Sequence, residues 1–227
     1  MLQDKVFSDF EGDRWFERNR MALNAFDASA DLPVKLIELY GLNPERVLEI
    51  GAANGFRLAA IRQRTGAELV AVEPSAQAVL NGKASYPFIT FIRGTASALP
   101  LRETFDLVIV NSVFHWIDRQ SLLRAVAEVD RLVGEGGYLL IGDFYPVNQL
   151  QVPYHQFESQ QVYMYKQNYA ATFLASGLYH PVSLVTARDS SNELKGRVGE
   201  YERIGVWLLR KELCGHYIES GVDGACG

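Results

Sequence analysis

Through the middle of the chain, short apolar runs alternate with segments whose apolar residues recur at helical spacing. Residues 46–51, Arg-Val-Leu-Glu-Ile-Gly, form an apolar run stopped by glycine, and 55–64 then follow a helical period, so the pattern predicts strand, turn, helix. The unit recurs at Glu68–Glu73, after which Pro74-Ser75 opens a helix reaching about Gly82. A third strand is predicted at Phe88–Ile92 and a fourth at Phe105–Asn111. A helix over about 119–133 follows, with Leu122, Leu123, Val126, Val129 and Leu132 on one face. A fifth strand runs from Gly137 to Asp143, after the turn Gly134-Glu135-Gly136-Gly137.

Strands that lack polar alternation and are separated by helices are covered on both faces, which is the signature of a parallel sheet with crossover helices. The expected fold is therefore α/β, a Rossmann-like open sheet of about seven strands with helices on both faces. Most strands should be parallel. The last two, Pro181–Thr186 and Ile204–Leu209, have only the polar stretch 188–201 between them and should pair antiparallel. Residues 1–30 read as a polar helical arm carrying aromatic residues, 31–220 as one α/β domain, and 221–227 as a disordered tail. Segment 159–176 reads as helical and aromatic, and 146–176 is expected to cover a substrate.

Composition narrows the function classes. The 227 residues carry a formal charge of −5 with no run of Lys or Arg, so the electrostatic footprint of a nucleic-acid binder is missing and small-molecule partners are expected. No stretch approaches the ~18 apolar residues of a membrane helix, and the first 20 residues lack the apolar core of a signal peptide. The two cysteines, Cys214 and Cys226, support neither a disulfide framework nor a zinc site. The expectation is a cytoplasmic protein, monomer or homodimer, with no metal, no membrane and no nucleic acid.

Candidate chemistry begins where the first strand turns into the first helix. Glu49-Ile-Gly51-Ala52-Ala53-Asn54-Gly55 places small residues at a helix N-terminus, where backbone can approach a ligand and free N–H groups can face a carboxylate or phosphate. A tight turn that binds nothing would look similar. The second sign is Glu73, an acid at the end of the second strand that can accept hydrogen bonds from ribose hydroxyls. Nicotinamide cofactors use the same geometry, so these two features leave two reaction classes open. The dinucleotide fingerprint is G-x-G-x-x-G, whereas this turn reads Gly51-x-x-x-Gly55, and dinucleotide domains do not ordinarily close with an antiparallel pair.

On these residues the chain resembles the class I S-adenosylmethionine-dependent methyltransferases, whose first motif has the form acid-x-G-x-G-x-G. Glu49, Gly51, Ala53 and Gly55 stand on that pattern, with alanine replacing the middle glycine. The resemblance implies that 49–55 faces the methionyl part of S-adenosylmethionine and that Glu73, beside Pro74, holds the ribose. Gly94-Thr95-Ala96-Ser-Ala-Leu99-Pro100 is similar to the family's adenine-binding stretch, with Thr95 where an acid usually precedes Ala96. Asn111-Ser112-Val113-Phe114-His115-Trp116 is similar to the stretch that closes over the cofactor. A narrower resemblance, to the methylases associated with pseudaminic acid biosynthesis, covers nearly the whole chain. It rests on Phe10–Asn19, Asp143–Pro146, Val152–His155, Tyr165–Ala170 and Val206–Arg210, with Gln167-Asn168 where Arg-Asp is expected.

Three residues are candidates for a base: His115 just past the fourth strand, Asp143 ending the fifth, and His155 in the covering segment. For His115 a packed imidazole making one local hydrogen bond is the competing reading, and Asp143 can equally cap a turn. Tyr145, Tyr154 and Lys166 are the expected acceptor contacts. Trp15, Phe16, Tyr163, Tyr165 and Tyr169 form either a lid or ordinary helix packing. The sulfonium already makes the methyl electrophilic, so the site's main task is alignment of a nucleophile. The expected activity is methyl transfer to a small polar acceptor, with a sugar or nucleotide sugar as the expected class. An NAD(P)-dependent oxidoreductase and a non-catalytic cofactor-binding subunit are the alternatives.

Overall fold

The computed structural model describes residues 3–154, 156, 162–188, 202–214 and 217. Five strands lie parallel: β1 (Arg46–Ile50), β2 (Glu68–Glu73), β3 (Ile89–Arg93), β4 (Phe105–Asn111) and β5 (Val133–Phe144). Two more, β8 (Tyr179–Arg188) and β9 (Arg203–Lys211), complete one sheet of order β3-β2-β1-β4-β5-β9-β8, in which β9 runs antiparallel to both neighbours. The expected sheet and its antiparallel closing pair are therefore present.

Successive side chains of a strand point to opposite faces, and here the two faces feed two separate cores. Leu48, Ile50, Val70, Val72, Val108 and Val110 pack under α6 (Leu122–Leu132) and α7 (Ala170–Ala175). Their neighbours Val47, Leu69, Ala71, Leu107 and Ile109 pack under α3 (Leu32–Leu39) and α4 (Phe56–Thr65), with Val79 of α5 (Ala76–Ser85). Burial on both faces explains why these strands read as unbroken apolar runs.

Two expectations shift. The turn at 134–137 falls inside β5 as an irregularity, where pairing with β4 jumps from Phe105↔Val133 to Leu107↔Tyr138. Segment 159–176 is not one helix: Tyr163–Lys166 is strand β7, paired antiparallel with β6 (Leu150–Pro153), and among its described residues α7 is the helical part. Four residues are too few to fix a period, so Tyr-Met-Tyr-Lys suits a half-exposed hairpin as well as a helix face, and pairing with β6 decides it. His155 and the expected tail 221–227 lie outside the described residues, as do 157–161 and 189–201.

The N-terminal arm comprises α1 (Gln3–Val6), one π-helical turn (Phe7–Glu11) and α2 (Gly12–Asn24). It is docked at its start and at its middle. Gln3 donates from Nε2 to the carbonyls of Trp116 (2.6 Å) and Tyr163 (3.0 Å), and its N–H reaches Asp118 (3.0 Å). Asp13 accepts from Ser75 Oγ (2.6 Å) and Gln77 N–H (3.1 Å) at the start of α5. Gly12 permits this approach, because a Cβ there would stand 2.6 Å from the Phe7 carbonyl and 3.3 Å from Ser75 N. No helix among the described residues is long and apolar enough to cross a membrane.

Beneath the first strand-to-helix turn, Arg57 of α4 is buried between two carboxylates. It meets Asp31 through Nε and Nη2 at 3.0–3.1 Å and Glu49 through Nη1. Asp31 also caps α3 by accepting from Val34 N–H. Removing one partner of such a cluster leaves an uncompensated buried charge. Arg57→Met is expected to lose about 3–5 kcal/mol of unfolding free energy, read by denaturant titration.

Candidate functional site

Ligands of open α/β sheets lie beyond the carboxyl ends of the strands, where the strand order reverses. In this sheet the order reverses at β1, with β2 on one side and β4 on the other. A cleft of about 720 Å³, measured out to its open mouth, lies there. Its floor carries Ile50 and Gly51 from the end of β1, Glu73 and Pro74 from β2, Gly94, Thr95 and Ala96 from β3, and Ser112 and Val113 from β4. Its roof is the arm, through Asp4, Phe7, Gly12 and Trp15, and its flank is Trp116 and Ile117.

Glu73 links the strand ends. Its Oε2 accepts from Ala53 N–H (2.9 Å) and its Oε1 from Ser75 N–H (2.9 Å), so the carboxyl group fixes the β1 turn and the start of α5 together. A carboxylate has about four acceptor positions, and two are taken. Burial pushes the Glu73 carboxyl up to about 7, against those two N–H groups, and the nearby Glu49 and Asp13 charges add to the rise. Burial likewise pushes Glu49 up to about 7 against the pull of Arg57. The Arg57 guanidinium is held above its ordinary range because Glu49 and Asp31 outweigh its own desolvation.

The turn is conformationally demanding. Gly51 (φ 71) and Gly55 (φ 81) adopt left-handed backbone, and Ala53 does so without being glycine (φ 48). The other described non-glycine residue with positive φ is Ser112 (φ 58), across the cleft. Such strain persists where surrounding bonds over-determine it. For Ala53 the bond is its N–H to Glu73, and for Ser112 it is its N–H to the Gly142 carbonyl (2.7 Å).

The expected cofactor residues divide. Gly51, Glu73, Pro74, Thr95, Ala96, Ser112 and Val113 line the cleft, whereas Glu49, Ala52, Ala53, Asn54, Gly55 and Asn111 do not. Glu49 lies below the turn with Arg57. Ala52 and Ala53 are buried in the turn, and Gly55 caps α4. Asn54 directs its amide to Asn81 of α5 at 2.9 Å, and Asn111 reaches Ser112 Oγ at 3.3 Å. This second group builds the turns that the first group exposes.

The candidate bases are also separated. His115 Nδ1 lies 2.9 Å from Asp143 Oδ1, and the His115 N–H donates to Asp143 Oδ2 at 3.2 Å. Phe144 N–H also donates to Asp143 Oδ1. The pair is buried, with His115 4% exposed, and the imidazole packs between Trp116 (4.6 Å) and Phe144 (4.9 Å). Neither residue lines the cleft; Trp116 does.

The expected acceptor residues are occupied as well. Tyr154 donates its hydroxyl to buried Glu11 (2.9 Å) and accepts from Arg18 (2.6 Å), while its ring meets Trp116 edge-on at 4.8 Å. Burial and Glu11 push its phenol up to about 12. Tyr145 packs beneath Arg203 (4.7 Å) at the β5–β9 join, and Lys166 Nζ lies 3.7 Å above the Phe144 ring. Of the aromatic residues considered for a lid, Trp15 faces the cleft, but Phe16 is core and Tyr169 stacks on Phe114. Asp4, Phe7 and Gly12 were not legible, because nothing in the arm's helical spacing registers it onto the cleft. Trp116 stood in the recognised stretch but without a role. Among the described residues no cluster of three or more His, Cys, Asp or Glu is arranged to hold a metal.

Residues 48–141 match the family model described as a methyltransferase domain. An uncharacterized methyltransferase of Mycobacterium bovis is 35% identical over 95 residues, which is 41% of this chain and 37% of that protein. The chain thus aligns with well under half the length of that curated relative. The 1,6-didemethyltoxoflavin-N1-methyltransferase of Burkholderia thailandensis, solved with S-adenosylhomocysteine and 1,6-didemethyltoxoflavin bound, superposes with a TM-score of 0.65 at 19% identity, covering 91% of this chain and 87% of that one. An S-adenosylmethionine-dependent methyltransferase of Methanosarcina mazei gives a TM-score of 0.63 at 14% identity over 78% and 97% of the two chains. The fold is that of the class I S-adenosylmethionine-dependent methyltransferases.

Because Ala53 holds a backbone conformation that favours glycine, Ala53→Gly is expected to raise stability by up to ~1 kcal/mol. A thermal melt compared with Ala60→Gly, which sits within α4 and should lose about 1 kcal/mol, checks the contrast.

Proposed function

We propose that the protein is an S-adenosylmethionine-dependent methyltransferase acting on a small polar acceptor. The observation that carries this reading is the cleft at the reversal of strand order, where buried Glu73 with spare acceptor positions stands between the Gly51 turn and Thr95-Ala96. A nucleoside laid across the strand ends would set its ribose on Glu73, with the sulfonium arm towards Gly51 and the base towards Thr95 and Ala96. The cofactor supplies an activated methyl group. The chain's part is to hold it, exclude water beneath Phe7, Trp15 and Trp116, and present the acceptor in line. Alignment of this kind contributes several kcal/mol, with about 7–11 as the upper range.

A sugar or nucleotide sugar is the acceptor class proposed, on the chain-wide resemblance already noted. The Burkholderia thailandensis neighbour is named for N1-methylation of 1,6-didemethyltoxoflavin, and at 19% identity it bears on the fold alone. His115 and Asp143 act in this reading as positioning residues. The two hydrogen bonds between them hold the turn Phe114–Trp116, and that turn sets Trp116 against the cleft.

Calorimetric titration with S-adenosylmethionine, S-adenosylhomocysteine and NADH tests the reading. Micromolar binding of the two sulfur compounds and none of NADH is expected; the reverse would overturn it. Ribose hydroxyls donate to the ionised form of Glu73, whose carboxyl sits at about 7 in the free protein. Affinity for S-adenosylhomocysteine should therefore rise from pH 6 to pH 8 by up to about ten-fold, and Glu73→Gln should bind more weakly with that pH dependence removed.

Once an acceptor is found, His115→Asn should slow methyl transfer by about ten-fold or less and leave the pH–rate profile unchanged. A general base would instead cost about 10²–10⁴-fold and remove a limb of the profile.

A further inference from the structure

The arm brings one acid into the cleft, and it comes to the place where the strand-end sequence lacks one. Asp4 lines the cleft beside Thr95 and Ala96, and its carboxylate accepts from the Ser97 hydroxyl and from the Thr95 side chain. Burial raises its pKa, Asp118 adds to the rise, and the two hydroxyls oppose it. Its position is imposed by its neighbour. Gln3 is buried and tied to Trp116, Tyr163 and Asp118 by the three bonds described above, with a fourth from Tyr163 N–H to its Oε1 (2.8 Å).

We infer that Asp4 selects the base of the cofactor, accepting a hydrogen bond from the exocyclic amine of a 6-aminopurine in place of an acid at position 95. The inference rests on the proposed cofactor reading and adds a specificity residue to it. Its chemistry is that of an unlike pair. Two of the roughly four acceptor positions of a carboxylate are used by Ser97 and Thr95, which leaves room for a further donor. An amine at purine position 6 is a donor, whereas the oxo group of a hypoxanthine is an acceptor and would face the carboxylate with like polarity. The geometry also determines which end of the ligand meets Asp4. Glu73 stands between Gly51 on β1 and Thr95 on the β3 side, so a ribose on Glu73 leaves its base on the Asp4 side.

The test measures binding of S-adenosylhomocysteine and S-inosylhomocysteine to the full chain and three variants. Wild type should prefer the adenosyl ligand by ten-fold or more, the scale of one charge-assisted hydrogen bond. Asp4→Ala should weaken the adenosyl ligand by about ten-fold and the inosyl ligand little, collapsing the ratio. Asp4→Asn keeps the shape but offers donor and acceptor alike, so its ratio should also fall towards one. Adding Thr95→Asp to Asp4→Ala should restore the preference from the strand side. If Asp4 only clamps the arm, its variants weaken both ligands equally and the ratio stands, which overturns the inference. If wild type binds neither ligand, the cofactor reading fails, and this inference with it.

Discussion

The arrangement of the cleft depends on one buried ion cluster. Arg57 reaches Asp31 at the cap of α3 and Glu49 at the end of β1, so three elements converge on one guanidinium under the turn 51–55. Burying three charges is costly unless each is paired, and removing one partner leaves the others uncompensated. The cluster links α3, β1 and α4 directly beneath the turn. Above it, Glu73 receives the Ala53 N–H, which holds that alanine in left-handed backbone. Two layers of carboxylates, one paired with arginine and one with backbone N–H groups, thus separate a structural acid, Glu49, from an acid on the cleft wall, Glu73.

The arm is the second determinant. The sheet supplies a floor, as any open α/β sheet would, but a roof must come from elsewhere, and Phe7, Gly12 and Trp15 form it. Gln3 and Asp13 tie the arm to opposite sides of the cleft. The π-helical turn between them shifts the helix register, as such turns do near functional sites. Within the arm, Arg18 and buried Glu11 both bind the Tyr154 hydroxyl, joining the arm to the segment after β6. Roof and β6–β7 hairpin are therefore one polar-linked unit, with Trp116 packed against both Phe7 and Tyr154.

Legibility differed sharply between these layers. Every strand of the main sheet was readable, two of them to the residue, because parallel strands covered on both faces leave long apolar runs that turns and glycines interrupt. The floor of the cleft was readable for the same reason, since it lies at the ends of those runs. Tyr163–Lys166 is strand where the aromatic segment predicts helix, because four residues are too few to fix a period and pairing with β6 decides it. Asn54 and Asn111 stand at motif positions, and their side chains reach Asn81 and Ser112 within the turns rather than the cleft lining. A motif constrains backbone more tightly than it constrains side-chain direction.

The sequence by itself determined the sheet, its antiparallel closing pair, the strained turn after β1 and the acid at the end of β2, because each follows from local periodicity or from a residue type that one conformation requires. Only the tertiary structure decided which residues face the cleft. It sent His115 and Asp143 behind Trp116, drew Tyr154 into a buried cluster with Glu11 and Arg18, and delivered Asp4 to Thr95 from about ninety residues away. Those outcomes depend on long-range docking of an arm whose amphipathic pattern specifies a buried face without naming what it is buried against.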